Sequence, residues 1–319
     1  MELTEDELVA AIRKLLSGTL PGVEVGVGDD AAVLEHGSGS VVVCADMLVE
    51  NVHFERAWTS ARDLGAKAIV VNVSDLAAMA AGPRAAVVSL GLPPDVGAGW
   101  VMELYGGMLE ACDEYALALV GGDLSRADGI VVSVAVTGEV APGRAVLRSG
   151  ARPGDRIVVT GSLGAAAAGL RIARSGRIGG ERDRALLHAL LRPVARVGEA
   201  QVLAACGATA MIDVSDGLAK DLSRLCLESG VGARVGASDV PVAEGATSEE
   251  ALTGGDDYEL LATLPSDAFD AAAGALRERF GVTLTDVGDV SEGAGLVAVD
   301  VDGNERPLEP GGWDHFAQT

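Results

Sequence analysis

Aspartate residues close apolar runs at six places in this chain: Gly28-Asp29-Asp30, Ala45-Asp46, Ser74-Asp75, Gly122-Asp123, Asp213-Val214-Ser215-Asp216 and Gly255-Asp256-Asp257. A carboxylate at the end of a buried strand must be paired, hydrogen-bonded or bound to metal, because unpaired burial costs several kcal/mol. The chain holds 24 Lys and Arg against 47 Asp and Glu, too few cations to neutralise them all. Repetition in one context therefore points to strands that converge to hold hard divalent cations, which take oxygen ligands. Such a cluster suits magnesium-dependent phosphate chemistry.

Each motif also has a plainer reading. In Gly26-Val27-Gly28-Asp29-Asp30-Ala31 the paired glycines would let the backbone approach a phosphate, yet a simple turn with solvated Asp has the same composition. Strand alternation puts Asp213 and Ser215 on one face, and Asp216 falls at a turn where it would cap the following helix. Capping accounts for Asp216 but leaves Asp213 unexplained inside an apolar strand. Asn72 and Asp75 stand one turn apart on an Ala-lined helix, and Gly161-Ser162-Leu163-Gly164 opens a helix as a candidate anion site. His53 taken alone reads as structural. The chain has no G-x-x-x-x-G-K-[ST] loop, and Lys occurs only at Lys14, Lys67 and Lys220. ATP chemistry here would have to rely on metals, backbone amides and Arg.

The elements that would position these residues alternate. Thr4-Glu5-Asp6-Glu7 is a capping box opening an amphipathic helix through Leu15-Leu16. Strands are expected over 31–34 and 40–45, the second ending at Asp46, then a helix over 60–81 whose Ala61, Leu64, Ala68, Val71, Leu76 and Met79 recur near helical spacing. A strand over 85–92, a helix over 100–114, a strand over 116–120 ending in Gly121-Gly122-Asp123 and a strand over 130–140 follow. The Gly/Pro-broken stretch from Arg148 to Asp155 reads as a joint, so two domains are expected, 1–145 and 146–319. The second half reads as a strand over 156–160, an Ala-rich helix after Gly164, a helix over 199–206, a strand over 208–214 and a helix from Leu218. Strands from Leu260, over 283–290 and over 295–301, with a helix over 268–280, complete it. Strands and helices in both halves predict an α/β or α+β fold.

Composition excludes several classes. A net charge of −23 argues against nucleic acid or anionic membrane as partner. No apolar run is long enough to span a bilayer, and the N-terminus does not read as a signal peptide, which predicts a cytoplasmic protein. The four Cys form no C-x-x-C pair and read as reduced thiols.

Taken together, the motifs resemble the thiamine-monophosphate kinase family, of the superfamily that includes aminoimidazole ribonucleotide synthetase and selenophosphate synthetase. The residues that carry the resemblance are Gly26 to Ala32, Asp46 to Phe54, Asn72 to Met79, Gly121-Gly122-Asp123, Arg148 to Ala151, Asp213 to Leu218, Gly254 to Leu260 and Trp313 to Phe316. The resemblance implies a two-domain aminoimidazole ribonucleotide synthetase-like fold whose N-terminal domains pair into a β-barrel of a homodimer, flanked by helices. It implies direct, in-line transfer of the ATP γ-phosphoryl group to thiamine monophosphate, giving thiamine diphosphate. The acceptor phosphate is already an anion, so no general base is implied. Several Mg²⁺ ions are implied at Asp30, Asp46, Asp75, Asp123, Asp213 and Asp216, ATP contacts at Tyr105, Gly122, Asp123, Arg148 and Ser215, and thiamine-substrate contacts at His53, Asp256 and Trp313.

Three positions depart from the family pattern. Cys44-Ala45 stand where Ser-Thr is common, so a metal ligand there would be a backbone carbonyl; Asp256 replaces Glu; and Trp313 fills a place where Tyr or Phe is usual. Within the superfamily, a selenophosphate synthetase would want a reactive Cys before Cys44, and the hydrogenase-maturation relative a C-terminal Cys; neither is present. An aminoimidazole ribonucleotide synthetase matches these motifs less well. Outside enzymes, the alternative is a non-catalytic cation- or nucleotide-binding protein.

Overall fold

The structure, a computed structural model, describes residues 23–25, 29–37 and 39–314. The expected helix after Thr4, the glycines at 26 and 28, and the His315-Phe316 end of the last motif lie outside the described residues.

A helix buried on nearly every side organises the first half. Helix α1 (Ala61–Ala78) starts at Ser60, whose side chain accepts the Asp63 N–H at 3.1 Å, and runs through Ala, Val, Ile and Leu with hardly a polar face. Such a helix has to lie inside a fold. It packs on one side against a six-stranded sheet ordered β1-β2-β3-β6-β4-β5, formed by β1 (Val23–Val25), β2 (Ala32–His36), β3 (Gly39–Val49), β4 (Gly82–Leu92), β5 (Ala118–Arg126) and β6 (Val131–Val140). Only β4 and β5 pair in parallel. Alternation sets the buried face: Val132, Val134 and Val136 point into the core while their neighbours do not. The sheet is open, and β5 at its edge leaves Val120 and Leu124 exposed.

Helix α2 (Ala98–Glu114) crosses α1 at very short range. A Cβ on Gly65 would lie 1.9 Å from the Leu104 carbonyl oxygen, and one on Gly107 would lie 1.8 Å from that of Arg62. Glycine is needed at both positions because the two backbones touch.

The second half builds a seven-stranded sheet ordered β13-β12-β9-β11-β7-β10-β8. Its strands are β7 (Arg156–Thr160), β8 (Ala210–Asp213), β9 (Gly232–Gly236), β10 (Leu260–Leu264), β11 (Leu284–Ser291), β12 (Gly295–Val299) and β13 (Glu305–Pro307). Helices α3 (Ala165–Ser175), α4 (Glu181–Leu191), α5 (Val197–Ala205), α6 (Leu218–Ser229), α7 (Ser248–Thr253) and α8 (Phe269–Phe280) accompany it. Both faces of the central strands are covered. Ile157, Val159 and Ile212 pack with Leu218, Leu222 and Leu225 of α6, whereas Val158 and Met211 pack with Leu203 of α5 and Leu276 of α8. This explains the unbroken apolar run of β10.

Two expected strand ends move. Strand β3 continues past Asp46 to Val49, and β5 continues past Asp123 to Arg126. In β3 the ladder with β6 pairs Asp46 with Val134 and Val49 with Val131, so hydrogen bonding continues beyond the carboxylate. Helix α7 was not expected, although Thr247 and Glu250 form a capping box of the same type as the one read at Thr4.

The helix crossing yields a direct test. Gly65→Ala is expected to cost ~3 kcal/mol or more in urea unfolding, whereas Gly274→Ala in α8, where a Cβ meets nothing within 4 Å, is expected to stabilise by up to ~1 kcal/mol. Equal effects from the two substitutions would refute the close-contact account.

Candidate active site

Three carboxylates meet where the two halves join. Asp75 comes from the last turns of α1, Asp213 ends β8, and Asp30 precedes β2; one oxygen of each lies within 4.8 Å of the others. Ser74, also on α1, donates its hydroxyl to Asp213 Oδ2 at 2.5 Å, a buried bond between the two halves. Burial raises the carboxyl pKa of Asp75 well above its ordinary value, and the neighbouring charges of Asp213, Asp46 and Asp30 add to this. Asp213 is raised in the same way by burial and by Asp30, against the hydrogen bond from Ser74.

Arg148 enters the cluster from the stretch joining the two sheets. Its Nε and Nη2 donate to Asp30 Oδ2 and Oδ1 at 2.8 and 2.9 Å, a bidentate pair with a fully buried carboxylate. Its backbone N–H donates to the Asp29 carboxylate at 3.1 Å. Burial raises the Asp29 pKa to about 7, with the Asp30 charge adding. Burial alone would lower the Arg148 pKa, but Asp30 and Asp29 outweigh it and the pKa is raised.

Next to this cluster a cavity of about 570 Å³ opens between the halves. Its wall includes Asp46, His53, Asp75, Ser215, Asp216, Asp256 and Trp313, which gathers residues named from motifs hundreds of positions apart. Asp46 is set by its backbone: its N–H donates to Asn72 Oδ1 at 2.8 Å, while Asn72 Nδ2 donates to the Ala68 carbonyl at 2.9 Å. Asn72 thus spans α1 and β3. The Cys44 thiol points at the Asn72 carbonyl at 3.5 Å, and burial together with Asp75 raises its pKa well above the ordinary value. A thiolate ligand at Cys44 does not fit that environment; its neighbour Ala45 is exposed. His53 accepts the Val49 N–H on Nδ1 at 3.0 Å, so its ring orientation is fixed.

The backbone anion site suggested at Gly161 to Gly164, and a second set of amides before α6, are filled by the chain's own carboxylates. Asp257 accepts the Gly164 and Ala166 N–H groups at 2.6 and 3.2 Å, at the start of α3. Asp221 Oδ2 accepts from Ser215, Asp216 and Gly217 at 3.1, 3.0 and 3.1 Å. Burial raises both carboxyls to about 7. Asp216 therefore does not cap α6, whose N-cap is Gly217; instead it pairs with Arg224 at 2.6 Å and Lys220 at 3.2 Å. Lys220 also donates to the Trp313 carbonyl, and the Trp313 N–H donates to the Asp216 carbonyl at 3.0 Å, which ties the aromatic side chain to the cavity rim.

The structure leaves three named residues apart. Tyr105 packs half-buried on α2, and Gly122 and Asp123 lie exposed on edge strand β5; none lines the cavity. Gly122 sits so close to β4 that a Cβ would fall 1.9 Å from the Val88 carbonyl oxygen. Other residues were not singled out from the sequence. Ser74, Asn72 in its bridging role, Asp221 and Lys67 act through partners that only the fold supplies. Thr59 is buried in the cavity wall and its hydroxyl has no protein partner.

Comparison with known proteins agrees with this architecture. Residues 28–140 match the family model of the AIR synthase related protein N-terminal domain, and residues 152–301 match that of the corresponding C-terminal domain. A thiamine-monophosphate kinase of Bacillus subtilis is 36% identical over 92% of this chain and 94% of its own. One from Aquifex aeolicus is 35% identical over 99% of both chains. The solved structure of AaThiL complexed with AMPPCP and TMP superposes with a TM-score of 0.87 at 35% identity, covering 99% of this chain and 98% of that one. The chain belongs to the thiamine-monophosphate kinase family.

The carboxylate cluster predicts a pH dependence. Raised folded-state pKa values mean that protons bind the folded form better, so this contribution is complete below the ordinary carboxyl value of 3.8 and is lost as pH rises through the raised values. In the presence of a chelator, the wild type is expected to lose stability as pH rises above the ordinary carboxyl value of 3.8, by at most ~1.4 kcal/mol per pH unit and site. Asp213→Asn is expected to show a shallower slope in the same urea titrations. Parallel slopes would refute the assignment.

Proposed function

We propose that this protein transfers the γ-phosphoryl group of ATP to the phosphate of thiamine monophosphate, forming thiamine diphosphate in the cytoplasm as part of its biosynthesis. The observation that carries this reading is the single cavity whose wall unites His53, Asp256 and Trp313 with Asp46, Asp75, Ser215 and Asp216. Thiamine-monophosphate kinases aligned over the whole chain, and the AaThiL complex with AMPPCP and TMP, support it.

The donor set at Asp30, Asp75 and Asp213 is all oxygen, close-spaced and short of neutralising cations, and suits a hard divalent ion such as Mg²⁺. Asp46 and Asp216, with the Cys44 and Ala45 carbonyls, are the further candidate ligands, whereas Asp123 stands apart on β5. Bound Mg²⁺ would supply the positive charge that lets two anionic phosphates approach. The chain's own residues hold the rest in place. Ser74 orients Asp213, and Asn72 fixes the backbone at Asp46. Arg148 commits Nε and Nη2 to Asp30, so contact with an ATP phosphate would fall to Nη1. Ser215, on the cavity wall, is assigned to ATP, whereas Tyr105, Gly122 and Asp123 stand apart from the cavity; Trp313 would stack on the cationic thiazolium or the pyrimidine, with His53 and Asp256 beside it. No general base is required, since the acceptor phosphate is already ionised.

The two halves are assigned as domains of 1–145 and 146–319. The open sheet edge at β5, with Val120 and Leu124 exposed, supports pairing with a second copy into a homodimer whose N-terminal sheets close a barrel. No nucleic-acid or membrane partner is proposed; among the described residues no helix is long and apolar enough to cross a membrane.

ADP release with Mg²⁺-ATP is expected only when thiamine monophosphate is added, with thiamine diphosphate as the second product and no release with thiamine. Absence of that stimulation would transfer the site to another superfamily substrate. Asp75→Asn is expected to lower kcat about 100-fold or more while the urea unfolding curve stays cooperative. Near-normal turnover at ordinary Mg²⁺ would remove Asp75 from the metal site.

A further inference from the structure

Lys67 is one of two lysines among the described residues, and it is buried at 4% exposure on α1 within the cavity wall. A buried ammonium needs acceptors for its three protons. Lys67 Nζ donates to Asp256 Oδ2 at 2.8 Å and to the Leu190 carbonyl at 3.1 Å. Leu190 lies in the last turn of α4, where carbonyls lack helical partners and the dipole favours a cation. Capping α4 would by itself account for the second bond. It does not account for the first, because the Asp256 side chain is 36% exposed and would be adequately solvated without Lys67.

Asp256 is held from every side. Its other oxygen, Oδ1, accepts the Tyr258 hydroxyl at 2.9 Å, and its N–H donates to the Ser215 carbonyl at 2.8 Å. Asp256 and Tyr258 both have left-handed backbones, with φ of 68° and 53°, a conformation that costs non-glycine residues energy and persists only where the surroundings enforce it. Lys67 reaches this loop from the other half of the molecule.

We propose that Lys67 is a positioning residue for the acceptor substrate: from beneath the cavity wall it holds the Asp256 carboxylate oriented, so that its free lone pairs accept the exocyclic amine of the aminopyrimidine of thiamine monophosphate. This rests on the thiamine-monophosphate reading above. Asp256 has the shorter acidic side chain, and with less reach of its own it depends on a fixed orientation. Lys67 carries no role in ATP binding.

The test is steady-state kinetics of the full-length protein with both substrates varied, alongside calorimetric binding of thiamine monophosphate. Lys67→Met is expected to raise the KM and the Kd for thiamine monophosphate about tenfold or more, with KM for ATP within about twofold and kcat within about threefold of wild type. Lys67→Arg should recover part of the loss. Adding Lys67→Met to Asp256→Ala should cost nothing further, since the two act as one unit. If the Met variant does not fold, Lys67→Gln, which keeps a donor for the Leu190 carbonyl, carries the same comparison. An unchanged KM for thiamine monophosphate, or equal losses for both substrates, overturns the proposal and leaves Lys67 as a helix cap. Failure of the wild type to release ADP in response to thiamine monophosphate would overturn the functional reading itself, which the wild-type control reports separately.

Discussion

The structure depends on one constraint: a helix buried on nearly all sides must carry polar groups that cannot reach water. Helix α1 is enclosed by the six-stranded sheet, by α2, and by α5 and β8 of the other half. Within it Lys67, Asn72 and Ser74 are each 4% exposed or less. Each must find a partner on a neighbouring element, because an unsatisfied buried polar group costs ~1–3 kcal/mol. Lys67 finds Asp256, Asn72 finds the Asp46 N–H, and Ser74 finds Asp213. Those partners are themselves residues of the cavity or the carboxylate cluster. The bonds that satisfy the helix thus also assemble the site and join the two halves.

The same logic governs negative charge. A chain with 47 acidic residues cannot leave many of them buried without compensation. Asp257 and Asp221 accept hydrogen bonds from backbone N–H groups at helix starts, Asp221 also pairs with Arg224, Asp30 with Arg148, and Asp216 with Arg224 and Lys220. Asp75 and Asp213 have no ion-pair partner among the described residues, and burial with the neighbouring carboxylates raises both pKa values against the field of Arg148. A site that has spent its own donors elsewhere is one that a divalent ion would complete.

Much of the fold was legible from periodicity. The helix over 60–81 and the strands over 156–160 and 130–140 correspond closely to α1, β7 and β6, because each has one dominant apolar repeat. Short elements were harder. Helix α4 opens on the charged run Glu181-Arg182-Asp183-Arg184 with only Leu186 and Leu190 buried, and β9 is a five-residue strand starting in Gly232-Ala233. The apolar pattern ends the strand expected over 40–45 at Asp46; yet β3 runs on to Val49 because β6 offers it a partner.

Taken alone, the sequence nominated the residues of the candidate site. An acidic chain without a phosphate-binding lysine loop, with Asp at the ends of apolar runs, pointed to oxygen-bound cations as the means of handling phosphate, and residue type and local spacing are enough for that expectation. Only the tertiary structure decided which of those residues meet. Asp30, Asp75 and Asp213 converge and Asp123 stands apart on β5, although all four occupy similar local contexts. The amides at the Gly161 to Gly164 helix start that looked ready for a ligand are already taken by Asp257, and Asp256 is gripped by a lysine 189 positions away. Such pairings arise from burial across a join between two sheets, and burial is a property of the packed chain that local sequence does not encode.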